Sequence, residues 1–249
     1  MPETANSRPV ALITGAAKRV GATIARTLHA AGYDLALHYR RSQSEMTALC
    51  AELERSRSGS TLPIQADLAD LTQLDRIVEA CISRFRRLDA LVNNASSFFP
   101  TPIGSVTAAQ WNDLFNSNAR APLFLAQAAA PALRSAHGAI VNLIDIYAQR
   151  PLPAHPVYCM AKAALAMMTL ALAKELAPEI RVNGIAPGAV LWPESGKAHA
   201  DQAELIAHTP LQRAGSPEDV ATAALFLLRD AKFTTGQIIA VDGGRSITT

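Results

Sequence analysis

What most constrains this chain is the way short apolar runs alternate with stretches of helical spacing along nearly its whole length. PVALIT (9–14) is followed by TGAAKRVG and then by VGATIARTLHAAG, whose apolar residues recur at helical spacing and whose Gly32 stands where a helix C-terminal cap belongs. DLALHY (34–39), TLPIQA, LDALVNN, AIVNLI (139–144), IRVNGIA and QIIAVDG repeat the strand signal. Between them lie SEMTALCAELERSR, a stretch from Leu71 with Leu74, Ile77, Val78, Cys81, Ile82 and Phe85 on one face, a long helix around Tyr158 to Leu176, and PEDVATAALFLL. Strands joined through helices by short connections must run parallel, and right-handed crossovers put helices on both faces of the sheet. The predicted class is therefore α/β, a doubly wound parallel sheet of about seven strands. No linker interrupts the alternation, so residues 1–249 are expected to form a single domain. The least regular stretch, about 191–213, reads either as a mobile flap over a substrate or as a plain surface insertion.

Composition narrows the function classes. Hydrophobic residues make up 49% and charged residues 18%, which excludes a disordered chain. The formal charge of +2, with both signs interspersed, leaves no broad basic face for nucleic acid. Cys50, Cys81 and Cys159 are an odd number, far apart and without metal-ligand spacing, so reduced thiols, no metal site and a cytoplasmic location are expected. Val10 to Ile13 is too short for a signal sequence, and AALAMMTLALA between Lys162 and Lys174 falls short of the roughly 20 apolar residues of a membrane span. No membrane association is expected.

Two places speak of a nucleotide. In TGAAKRVG, Gly15 permits a sharp bend, Gly21 a close approach of helix to sheet, and free amides at the helix start point at any anion in the crevice. At the end of the second strand, where an acid would accept the ribose hydroxyls of NAD, the chain reads HYRRS. Arg40 and Arg41 offer charged forks and Ser42 a hydroxyl where the 2′-phosphate of NADP would arrive. NADPH is the expected cofactor.

Tyr158 and Lys162, four apart on a predicted helix, share a face. A nearby ammonium favours a phenolate, so the pair is expected to lower the tyrosine pKa and to exchange a proton with a substrate.

TGxxxxxG after strand one, Asn93 to Ala95 after strand four, Asn118, YxxxK, and Pro187–Gly188 after strand six resemble the short-chain dehydrogenase/reductase superfamily in order and spacing. The resemblance implies a Rossmann-type sheet, Tyr158 as general acid, Lys162 on the nicotinamide ribose, and Asn118 anchoring a water relay. Asn94, Pro187 and Gly188 would line the cofactor, with Val20, His38, Tyr39 and Ala95 beside it. Two departures stand out. Most members carry a serine about thirteen residues before the tyrosine, where this chain has Asp145. An ionised carboxylate would repel a developing alkoxide but suits a protonatable C=N. Arg19 replaces the middle glycine of the phosphate turn.

With HYRRS and NNASSFFP, these departures resemble the pteridine reductases. That likeness implies that Phe98 stacks on a pterin, that Ser96 and Arg19 bond both pterin and cofactor, and that Asp67 and Leu68 border the adenine. Trp192 either lines the substrate mouth or packs within the flap. The implied activity is NADPH-dependent reduction of dihydropterin or pterin, with dihydrofolate a further candidate. Two rivals remain: a carbonyl (3-oxoacyl-type) reductase of the same superfamily, which Asp145 disfavours, and a non-catalytic NADP-binding regulatory protein. Helices 120–133 and 157–173 are apolar around much of their circumference, and family members pair through them, so a homotetramer is expected.

Overall fold

All seven predicted strands form, and they join one parallel sheet in the order β3-β2-β1-β4-β5-β6-β7. The computed structural model describes residues 8–190 and 199–248. The strands are β1 (Val10–Ile13), β2 (Asp34–Tyr39), β3 (Thr61–Gln65), β4 (Ala90–Asn93), β5 (Ala139–Leu143), β6 (Arg181–Pro187) and β7 (Ile238–Val241). Ile13 pairs with Leu37 on one side and Val92 on the other, so β1 lies between β2 and β4. The strand order reverses there, which opens a crevice beyond the carboxyl ends of the strands.

The strands read as unbroken apolar runs because both faces are covered. Ala11 and Ile13 point into a core shared with α1 (Arg19–Ala30), α2 (Gln43–Ser56) and α8 (Pro217–Leu225). Val10 and Leu12 point into the opposite core, with α3 (Leu71–Phe85), α5 (Ala121–Ser135) and the end of α6 (Pro156–Glu175). At the amino edge of the sheet Arg57 cross-braces several elements. It donates to Asp34 Oδ1 at 3.2 Å, to the His29 carbonyl at 3.1 Å, and to the Tyr33 carbonyl.

Three features differ from the sequence reading. A short helix, α4 (Ala108–Phe115), was not foreseen; Thr107 and Gln110 start it with a reciprocal capping box. Between α4 and α5 the chain makes a π turn, Asn116–Arg120, in which the Ala121 amide reaches Asn116 O. Pro122 lacks the N–H that would bond the carbonyl four residues back, and the helix absorbs an extra residue there. The irregular stretch 191–213 contains α7 (His199–Ala207), while residues 191–198, Trp192 included, lie outside the described residues.

The 20-residue α6 is also long and apolar enough, by length and composition, to cross a membrane, which the shorter run between its lysines did not suggest. Its buried side carries Tyr158, Lys162, Leu165 and Thr169 and packs on β6.

Candidate active site

The phosphate turn is held by its neighbours. Gly15 has φ +62°, and a Cβ on Gly21 would stand 2.3 Å from the Gly15 carbonyl oxygen, so neither position accepts a side chain as built. The Asn94 side-chain amide donates to the carbonyls of Thr14 (2.9 Å) and Gly15 (3.0 Å), bracing the turn from the cleft side. Lys18 is the N-cap residue of α1, and its side chain makes no capping bond. The amides of the first helical turn are thus presented to the cleft, a fitting cradle for a pyrophosphate.

From this turn a cleft of about 740 Å³ extends past Val20, Arg40 and Arg41 to Asp67 and Leu68, with Ala95 and Ser96 on its far wall. Lys18, which the sequence reading overlooked, also lines it and pairs with Glu45 at 2.6 Å. The lysine holds the Glu45 carboxyl down at about 2. Three cations thus gather at the β2 end of the cleft, a setting for a phosphate dianion. Tyr39 is buried in the core behind this wall, and Ser42 is the N-cap residue of α2 without a side-chain capping bond. Neither lines the cleft.

The proton machinery sits to one side, over the ends of β5 and β6. Asp145 caps the 3₁₀ turn Ile146–Ala148, its Oδ1 accepting from the Tyr147 amide at 2.9 Å. Its second oxygen accepts from the Tyr158 hydroxyl at 2.7 Å. Being a turn former and being a proton partner are therefore both true of this residue. Burial pushes the Asp145 carboxyl up, against the bonds from Tyr147 and Tyr158 and the charge of Lys162.

The expected lowering of Tyr158 is reversed. Burial, and after it the Asp145 charge and hydrogen bond, raise the phenol well above its ordinary value. The Lys162 ammonium does not bond the phenol: it donates to the Leu143 carbonyl at 2.8 Å, with Nζ 5.7 Å from the tyrosine ring centre. Burial pulls Lys162 down to about 8, with Asp145 opposing. Tyr158 is thus a held acid, with its proton shared toward a carboxylate.

Asn118 sits buried in the π turn. Its amide donates to the carbonyls of Ser97 and Leu114, both at 3.0 Å, and its oxygen accepts from Ser96 Oγ at 2.7 Å. The side chain is fixed by protein partners and in turn orients Ser96. Phe98 stands 44% exposed beside Tyr158, ring centres 4.8 Å apart and edge-on. His155, absent from the sequence reading, stacks on Phe98 at 4.8 Å and 9°. Sequence spacing gave no sign of that contact.

Comparison with known proteins decides the family. Residues 15–246 match the family described as enoyl-(acyl carrier protein) reductase. Pteridine reductase 1 of Leishmania tarentolae is 38% identical, over 98% of this chain and 99% of that protein. The chain belongs to the short-chain dehydrogenase/reductase superfamily. It is similar as well to a putative ketoacyl reductase of granaticin polyketide synthesis from Streptomyces violaceoruber, 35% identical over 98% of each chain. A 3-oxoacyl-[acyl-carrier-protein] reductase of Staphylococcus aureus is 33% identical over 94% of this chain and 96% of that protein. As a member of this superfamily the chain is an oxidoreductase that works with a nicotinamide cofactor.

The fold gathers most residues that the sequence reading singled out. Asp145, Tyr158, Lys162 and Phe98 form one cluster, joined through Asn118 and Ser96 to the cleft wall. Pro187 and Gly188 close β6 next to it, with a Gly188 Cβ coming within 2.8 Å of Asp242. Arg19 lines the phosphate end of the cleft.

Proposed function

We propose that this reductase is NADPH-dependent and reduces the C=N bond of a dihydropterin or pterin, with dihydrofolate a further candidate substrate. The observation that carries the reading is the 2.7 Å bond between Asp145 and Tyr158. A carboxyl whose pKa is raised can hold or return a proton, which suits a nitrogen that must be protonated as its neighbouring carbon is reduced. The cofactor supplies the hydride. Tyr158 gives its hydroxyl proton to the substrate nitrogen, and a proton taken up at Asp145 is passed on to restore the phenol. One face of Phe98 is covered by His155, so a flat heterocycle stacks on the opposite face or displaces the imidazole. The name of the Leishmania relative supports the choice of substrate class.

The names of the ketoacyl reductase relatives favour a second reading, reduction of an acyl thioester ketone. An NADPH-oxidation assay over dihydropterins, pterins, dihydrofolate and ketones separates the two. Turnover of a ketone with none of any pterin would overturn the proposal, and NADPH binding without oxidation across the panel would favour a regulatory binder. Repeating the assay with Asp145→Ser asks whether the carboxyl is what excludes ketones.

Preference for NADPH is assigned to Lys18, Arg40 and Arg41 at the β2 end of the cleft. Arg41→Ala is expected to weaken NADPH much more than NADH, by about 1 to 3 kcal/mol. Equal losses in binding titrations of both cofactors would move the 2′-phosphate elsewhere. A cytoplasmic homotetramer completes the proposal.

A further inference from the structure

We propose that His38 is a positioning residue that bolts the phosphate turn to the loop bordering the adenine, and so sets the distance between the two ends of the nucleotide site. His38 is 2% exposed at the carboxyl end of β2. Its Nδ1 faces the Gly15 amide at 3.2 Å, and its Nε2 faces the Ala66 carbonyl at 3.1 Å. An amide can only donate and a carbonyl can only accept. The ring is therefore the neutral tautomer with its proton on Nε2, the one form that satisfies both partners. Burial holds the imidazole down at about 4, with the Ala66 bond and Asp67 opposing and Arg40 reinforcing, so that neutral form persists at ordinary pH.

The two partners make the ring more than core filling. Gly15 opens the phosphate turn, and Ala66 directly precedes Asp67 and Leu68, which line the other end of the same cleft. Backbone bonds follow the same path: the Ala16 amide donates to the His38 carbonyl at 2.9 Å and the Ala66 amide to the Tyr39 carbonyl at 3.1 Å. With the amides of Gly15 and Ala16 both spent on His38, the anion cradle is left to the first turn of α1. The likeness to cofactor-binding residues of the family put His38 beside the nucleotide. His38 does line the cleft, and because both of its ring nitrogens are taken by backbone groups they act on the nucleotide through two loops.

This inference rests on the nucleotide half of the proposed function and is independent of the pterin half. The test is calorimetric titration of the full chain with NADPH and with adenosine 2′-monophosphate, a fragment that lacks the pyrophosphate and so occupies the adenine end of the site only. His38→Leu removes both bonds. His38→Asn keeps an acceptor at the Nδ1 position, and His38→Gln reaches the Nε2 position with a donor. The expected result for His38→Leu is a roughly tenfold or greater rise in the Kd for NADPH, with the fragment changed less than about threefold. His38→Asn should recover part of the loss. Should His38→Leu fail to fold, the two single-bond variants carry the same comparison between ligands. Equal losses for NADPH and the fragment, no loss for either, or an asparagine variant no better than leucine would each overturn the assignment. A wild-type chain that bound no NADPH would end this reading and the proposed cofactor together. Normal wild-type binding with indifferent variants would end this one alone.

Discussion

Arg19 is held at φ +52°, in the left-handed region that glycine occupies without strain. The strain is local and belongs to a residue whose fork of donors lines the phosphate end of the cleft. Arg19→Gly is therefore expected to keep or raise the melting temperature of the unliganded protein, by relief of about 1 kcal/mol, while weakening NADPH. A drop in both would show that the arginine holds the turn together. At the reacting centre the sign of the pH dependence follows from Asp145. Its carboxyl is raised, so the proton-bearing form persists to higher pH than in an ordinary aspartate, and it is lost as pH climbs through the raised value. In the proposed reduction kcat should fall across that alkaline-going limb. Asp145→Asn should lower kcat by roughly 100-fold or more and abolish the limb. A variant that kept the limb would assign it to another group. Tyr158 and Lys162 were legible in the sequence as a pair, but the direction of the tyrosine shift was not. Spacing shows that two groups are near each other, whereas the burial that dominates here depends on Leu114, Val157 and the loop carrying Phe99.

Among the elements, those buried on both sides were the ones written most plainly in the sequence. β1, β2 and β5 are four to six apolar-rich residues between turns, and α3 shows its inner face as Leu74, Ile77, Val78 and Cys81. α4 was hidden because it buries Leu114 alone; its signal lay in the Thr107–Gln110 capping pair, not in a stripe. The π turn left one trace, Pro122, and His155 and Lys18 left none, since their partners are distant in sequence. The turn before α1 is the element least tolerant of change. Gly21→Ala would set a methyl 2.3 Å from the Gly15 carbonyl and 2.6 Å from the Asn94 amide, both of which build the cradle. It is expected to destabilise the fold by about 1 to 3 kcal/mol and to weaken NADPH and NADH alike. Unfolding in denaturant and titration with both cofactors check this. Unchanged affinity would mean the turn can shift without harm.

At the scale of the whole molecule, the outer faces of α5 and α6 expose Leu123, Met160, Met167 and Leu170. Met167 is 64% exposed, on a helix whose other side carries the reacting tyrosine. The proposed tetramer would cover these faces, and sedimentation velocity is expected to give a species of four chains. A charged substitution at Met167 should shift it to smaller species, and a wild-type monomer would contradict the proposal. The reversal of strand order between β1 and β4 has a further consequence. Residues that would grip the adenosine end, from Gly15 to Leu68, all precede β4, while the acid pair and its supports all follow it. Selection at the adenosine end of the coenzyme and the chemistry thus occupy successive stretches of the polypeptide. Exchanging the first stretch for that of a relative with another coenzyme preference would retune the one and leave the other as it stands.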